Sequence, residues 1–338
     1  PLANMAKLHR ISGPLDHVRL AAAFDEVVAT SDTLRTVVRD RPGTAPVARI
    51  LSVPPMPTEV VDLDPADLDG WVAARISTPI DVTTCPYDSV ILRHGDHDWS
   101  WWLDLHHLVT DAWGSSEIYR AVDARYRADE PSDPLPSYYE FVDRQAERAA
   151  KGRDRRAAFW SQQPHDPTPI APYGPRGAST SRVRREPVHL AAAVAEALDG
   201  PYRTLSRELS LLGLLATATV TVLRRLDGRR SFTLAVPLHH RSGPLAPRVV
   251  GPLMELYPVV VEIDDDESFT DLFARVQRAL VAAMRHAKPG ESPDVAFDAV
   301  LNVLTAAYGD FAGLPTVTTW PRSGHVDPAH AILSLIHI

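Results

Sequence analysis

The sequence predicts an α/β protein in two halves, each an α+β sandwich of strands and helices. Three observations carry that prediction. The chain has 338 residues, enough to bury two cores of ordinary size. Apolar runs of strand length recur between segments whose apolar residues repeat at helical spacing. Residues 161–180, SQQPHDPTPIAPYGPRGAST, hold five prolines and break in composition from both flanks, as a linker does. The division expected is an N-terminal lobe over 1–165, a Pro-rich linker over 166–180 and a C-terminal lobe over 181–338. No internal repeat stands out.

Composition narrows the function classes. Hydrophobic residues make up 45% and charged residues 23%, the balance of a globular protein. A net charge of −8 argues against nucleic acid, whose phosphates require a basic face. Cys85 is the one cysteine. It allows no internal disulfide and no thiolate zinc cage, and it fits a reducing, cytoplasmic compartment. It precedes Pro86 without cationic neighbours, so a buried inert thiol is expected. The opening residues lack a signal-peptide pattern. The apolar stretch Leu209–Leu223 is short for a membrane span and carries Ser and Thr, so it is read as a buried helix.

Taken in order, Asp16 is a helix N-cap, and Leu20, Ala23, Phe24, Val27 and Val28 form one apolar face ending near Ser31. TLRTVV reads as a strand, with Arg35 on its solvent side. Residues 41–70 are rich in Pro and Asp and hold short strands at Ala48–Leu51 and Val60–Val61. A short helix follows over Ala66–Ile76, then a strand over Ser89–Arg93. HGDHD reads as a hairpin turn with solvated His94 and His97. SWWLDL is a strand. After it, Ser115 or Ser116 caps a helix with Glu117 in its first turn and Ile118, Ala121, Val122 and Tyr126 on its buried stripe. SYYEFVDRQAERAAKGRDRRAAFW reads as one long helix with Arg153–Arg156 as surface charge. Beyond the linker come a strand at Val183–Val188, a helix over Ala191–Leu198 closed by Gly200, the buried helix Leu205–Leu226, and strands Phe232–Leu238 and Tyr257–Ile263. Ser268 caps a helix with Phe269, Leu272, Phe273, Val276 and Leu280 on one face. Residues 297–306 form a strand. The chain opens without methionine and ends inside the apolar run AILSLIHI, so it is expected to lie within a longer protein.

HHLVTDAWG, residues 106–114, is where chemistry concentrates. His106 and His107 end a strand, and neighbouring strand residues point to opposite faces. One can face a cleft while the other packs. Asp111 follows four residues after His107, and a helix N-terminus follows that, whose unpaired N–H groups suit a developing oxyanion. A neutral imidazole can take a proton from an amine or hydroxyl nucleophile, an effect of roughly 10²–10⁴-fold. Orienting two substrates can add more. No GxSxG elbow or activated cysteine offers a covalent nucleophile, which favours direct transfer between two bound substrates. Metal ligation by His106, His107 and Asp111 is the weaker alternative, since adjacent strand histidines diverge and HExxH is absent. A packed histidine pair is the third.

HHLVTDAWG resembles the HHxxxDG motif of nonribosomal peptide synthetase condensation domains. Further segments resemble that family in order: SGPLDHVRLAAAFDEVVATSDTLRT, SYYEFV, AVPLHHR, VVGPLMELYPVVVEI, FDAVLNV and the final FAGLP…AILSLIHI. The resemblance covers almost the whole chain. It implies two chloramphenicol-acetyltransferase-like lobes in a V with a central tunnel. It also implies donor and acceptor peptidyl carrier proteins delivering phosphopantetheine thioesters, neighbouring synthetase domains, no other cofactor, no membrane and no metal. By residue, it makes His107 catalytic, with His106, Asp111, Ala112, Trp113 and Gly114 as motif support. Asp111 and Arg241 would form a structural ion pair. Ala112, Glu255 and Ser31 depart from the pattern, Ser31 standing where a histidine is frequent before LRT. Ala112 replaces the motif glycine and would be strained if the site required a positive φ. Glu255 stands where the family often has Asn, and it could line the tunnel and select a polar or cationic acceptor; a solvent-facing strand-end glutamate is the alternative. The activity implied is amide formation. Ester formation by a free-standing relative, or a noncatalytic or epimerisation-type domain, are the other readings.

Overall fold

The computed structural model describes residues 3–39, 43–128, 133–163, 200, 202–203, 205–304, 308–321 and 333–337. In chain order the elements are β1 (Lys7–Ser12), α1 (His17–Thr30), β2 (Thr36–Arg39), β3 (Val47–Ile50), β4 (Glu59–Asp62), α2 (Leu68–Ile76), β5 (Tyr87–Arg93) and β6 (Asp98–Leu105). Then come α3 (Ala112–Arg127), α4 (Tyr138–Ala150), α5 (Arg153–Ser161), α6 (Arg207–Asp227), β7 (Ser231–His239), β8 (Met254–Glu262), α7 (Phe269–His286), β9 (Ala299–Leu304), β10 (Thr316–Thr319) and β11 (Leu333–His337). The linker expected over 166–180, the strand over 183–188 and the helix over 191–198 lie outside the described residues.

The chain forms two units. The first comprises Pro1–Arg144, Arg241–Leu253 and Ala306–His325. Its sheet has the order β10-β1-β6-β5-β4; β1 runs antiparallel to both β10 and β6, while β4 and β5 are parallel. Successive tryptophans on β6 show the strand period at work. Trp101 joins the core formed with α1 (Leu20, Phe24, Val27) and α3 (Ile118, Val122). Trp102 packs on the other face with Leu68 and Ile76 of α2. Each indole is buried with its N–H bonded, Trp101 to Ser89 Oγ (3.2 Å) and Trp102 to Asp88 Oδ2 (2.9 Å), so neither leaves an unpaired donor inside. Asp16 caps α1 by accepting from Arg19 N, and the five apolar residues read from spacing are the five that α1 buries. The thiol of Cys85 donates to Tyr87 O, and burial pushes it up to about 11. It is an inert core thiol.

The second unit comprises Gln145–His240, Met254–Thr305 and Val326–Ile338. Its sheet order is β11-β9-β7-β8. The core lies between that sheet and the stripes Leu212, Ala216, Val220, Leu223 on α6 and Leu272, Val276, Leu280, Ala283 on α7. By length and composition α6 could cross a membrane, yet this stripe is spent on the core. Ser268 caps α7 as read from the sequence, and Ser206 caps α6.

Several expectations are corrected. The lobe boundaries differ because the chain crosses between units. Trp160 on α5 joins the second core, whereas Ala246, Val249 and Leu253 pack against Phe141 in the first, and β10 pairs with β1. The long helix over 138–160 is two helices, broken at Gly152, which adopts φ +77°, a conformation that glycine takes without strain. Arg156 is not surface charge: it is 5% exposed and grips Glu291 with Nε and Nη2 at 2.6 and 2.7 Å. Residues Thr33–Arg35 form a 3₁₀ turn before β2, and Arg35 donates to Ser31 O and Leu51 O instead of facing solvent. His94 is also not solvated, since its ring nitrogens bond Leu63 O and Ser100 Oγ.

Candidate active site

The site is built where β6 ends and α3 begins. His106 N donates to Pro86 O at 2.9 Å and Val109 N to His106 O at 3.0 Å, so the chain turns tightly after the strand. The His106 ring accepts from Leu108 N at Nδ1 (3.1 Å). In a neutral ring that leaves the proton on Nε2. Burial, then the neighbouring His107, lowers the His106 pKa, which keeps this ring neutral and in its staple role. His107 is held through its backbone, N donating to Ala3 O at 2.8 Å. Its half-buried ring makes no hydrogen bond with the described residues. β6 stops at Leu105 and His107 lies in the turn, so the expected placement of the pair on opposite faces of a strand is corrected; the two rings differ instead in that His106 is bonded within its own turn.

Asp111 is the N-cap of α3. Its Oδ1 accepts from Gly114 N at 2.7 Å, the side-chain-to-third-residue bond of a capped helix. Ser115 and Ser116, read as caps, lie inside α3, and Glu117 lies beyond its first turn. The reason is that Asp111 has further partners to hold it in place. Oδ1 also accepts from Arg241 Nη2 at 2.8 Å, and Oδ2 accepts from Leu253 N at 3.0 Å. The helix N-terminus therefore already faces a carboxylate, and the expectation that it awaits a developing oxyanion is revised.

Arg241 is spent in the same cluster. The two side chains are 2% and 3% exposed. Its Nη1 donates to Val249 O (2.6 Å) and Ala246 O (3.1 Å), its Nη2 also to Gly251 O (3.2 Å), and its guanidinium lies 5.9 Å from the Trp113 ring centre. Trp113 Nε1 donates to Pro247 O at 3.1 Å. One arginine thus folds the 241–253 loop around itself and fastens it to the motif helix. Packing is close at Gly114: a Cβ there would lie 2.4 Å from Thr110 Oγ1 and 3.3 Å from Gly251 N, so a side chain cannot be added unless Thr110 moves. Asp111 thus accepts three bonds, and His106 Nδ1 accepts one from Leu108 N.

Ala112 is the first residue of α3, and its φ is not positive. The strain considered for this departure from the motif glycine is absent, because a helical first turn accepts alanine. Ala112→Gly is accordingly expected to cost no more than ~1 kcal/mol of stability, as read by chemical denaturation. Glu255 belongs to the second unit. Its Oε1 accepts from Gly290 N (2.7 Å) and its Oε2 from Tyr257 OH (3.1 Å), with His240 Nε2 3.9 Å away. The Glu255 side chain is 31% exposed and bonded at both oxygens.

A family model for the condensation domain matches residues 3–290. The chain belongs to the condensation-domain family. This condensation domain is 27% identical over 304 residues to an isonitrile lipopeptide synthase of Streptomyces coeruleorubidus, a match covering 85% of this chain and 20% of that protein. It is 26% identical over 320 residues to the nonribosomal peptide synthetase penN of Penicillium thymicola, covering 87% and 11%. It spans a fifth or less of the length of these two relatives. Among solved structures, a mutant starter condensation domain of rhizomide synthetase, in complex with C8-CoA, matches with a TM-score of 0.82 at 20% identity, covering 100% of this chain and 81% of that one. The fold is the one that family shares.

Two groups at this site carried no motif signal. Leu253 N is a backbone donor, which leaves no mark in sequence. Asn4 and Asp104 brace the strand end from outside the motif. A carboxylate between Leu103 and Leu105 was the clue to the second.

Proposed function

We propose that this domain transfers an acyl or peptidyl group from a carrier-bound thioester to the amine of an acceptor, with His107 as the catalytic residue. The observation that carries the reading is the contrast within the histidine pair. The His106 ring is tied into its own turn, whereas the His107 ring is held only by its backbone and has no bond to give up. On this reading the acceptor nitrogen attacks the thioester carbonyl while His107 takes a proton from it. The tetrahedral intermediate collapses, the C–S bond breaks, and the departing thiolate receives the proton. Amide, thiol and neutral histidine result, so atoms and charge balance. His106 and the Asp111–Arg241 cluster keep the loop in place. No bound cofactor is required; donor and acceptor arrive on phosphopantetheine of carrier domains in a longer synthetase.

The test is mass-spectrometric product analysis with panels of acyl thioesters offered to amines and to alcohols. Amide products that depend on His107 support the proposal. Ester products alone would move the domain to the hydroxyl-acceptor reading, and no product with any pair would favour a noncatalytic role.

A further inference from the structure

The end of β6 is finished by chain that precedes β1. Met5 N donates to Leu105 O at 2.9 Å, Asn4 bridges to His106 in antiparallel fashion, and His107 N donates to Ala3 O at 2.8 Å. These contacts carry the β1–β6 pairing beyond both strands, to the backbone of His107 itself. One side chain ties the extension down. Asn4 Nδ2 donates to Asp104 Oδ2 at 2.8 Å and to Thr78 O at 3.0 Å. Asp104 is 2% exposed, and its Oδ1 has no hydrogen-bond partner. Burial pushes its carboxyl up to about 7, the Asp88 carboxylate adds to that, and Lys7, Asn4 and Met5 N oppose it. Asp88 is itself bonded by Arg75 and by Trp102 Nε1. Asn4 is therefore the side-chain donor to Asp104 Oδ2, and Asp104 is the anchor that keeps Asn4 in place.

Strand ends fray when backbone bonds alone hold them. Here the frayed residue would be the one whose side chain faces the substrates. We propose, on the reading that His107 is the catalytic residue, that Asn4 and Asp104 are a positioning pair: their hydrogen bond fixes residues 3–5 against the end of β6 and thereby sets the place of the His107 imidazole. Neither touches substrate in this account. They act through the Ala3 carbonyl and the His107 N–H.

The experiment compares Asn4→Ala, Asn4→Asp, Asp104→Asn and the exchanged double variant Asn4→Asp/Asp104→Asn in the full chain. Transfer kinetics and the ring ¹⁵N signals of His107 are both read. Misplacing a reacting group by about 1 Å can cost up to ~100-fold. Asn4→Ala should lower kcat roughly tenfold on that scale, leave KM within about twofold, and shift or broaden the His107 ring signals. Asn4→Asp, which sets carboxylate against carboxylate, should be worse. The exchanged pair, which restores the bond with donor and acceptor swapped, should recover most of the loss. Wild-type kcat and an unmoved His107 signal in Asn4→Ala would overturn the proposal, as would a loss confined to KM or to melting temperature. If His107→Ala itself turns over normally, the catalytic assignment falls. The His107 signal then still decides the pair: moved by Asn4→Ala it stands, unmoved it does not.

Discussion

His107→Ala is expected to abolish acyl transfer while leaving the fold intact. The His107 imidazole makes no hydrogen bond with the described residues, so it can accept a proton without first surrendering an internal bond. The His106 ring already accepts from Leu108 N, and both Asp111 oxygens are bonded. Losing a positioned general base costs roughly 10²–10⁴-fold, which takes slow transfer below detection in a product assay. The fold should tolerate the change because the contact holding the residue is backbone, His107 N to Ala3 O, and the ring leaves no orphaned partner among the described residues. A stability change within about 0.5 kcal/mol is expected, as for a substitution that removes no buried contact. Thermal melts beside mass-spectrometric turnover check both halves. Turnover at the wild-type rate would remove His107 from the chemistry.

Arg241→Ala has the opposite signature: it should destabilise the first unit as much as it harms transfer. Deleting the guanidinium leaves the Asp111 carboxylate, 3% exposed, without its counter-charge. It also takes a donor from the carbonyls of Ala246, Val249 and Gly251. Breaking a buried pair by removing one partner costs about 3–5 kcal/mol. Asp111→Asn keeps one cap acceptor but sets its NH2 against the Leu253 N–H and removes the Arg241 counter-charge, so it should destabilise too. Arg241→Lys keeps the charge but cannot make the forked set of bonds, so it should fall between wild type and Arg241→Ala. Urea denaturation orders the three. Equal stability of Arg241→Ala and wild type would show that the cluster is incidental.

Much of this was readable where periodicity was strong. The apolar stripe of α1, the caps Asp16 and Ser268 and the strand–loop–helix around the histidines follow from spacing and capping chemistry. What failed has physical reasons. Two serines and an aspartate compete to cap α3, and only the tertiary bonds of Asp111 decide between them. Gly152 inside a helical pattern can be tolerated or can end a helix, and here it ends one. Arg156 looked like surface charge because Glu291, its partner, is 135 residues away. The exchange of segments between units is invisible to composition, since neither the 241–253 loop nor β10 differs in character from its flanks. The Asp111–Arg241 pair was reached by family resemblance and not by spacing; the Leu253 N–H that completes it was not reached at all.

The placement of the 241–253 loop bears on how the protein is made. The motif carboxylate at position 111 finds its arginine 130 residues later and its backbone donor 142 residues later. During synthesis, the histidine-bearing strand and its helix leave the ribosome long before either partner exists. Until then the Asp111 carboxylate is a charge awaiting burial, and the first unit's core lacks Val250. Closing so long a loop is entropically slow. A fragment cut in the Pro-rich stretch would contain every motif residue and still lack the contacts that shape them.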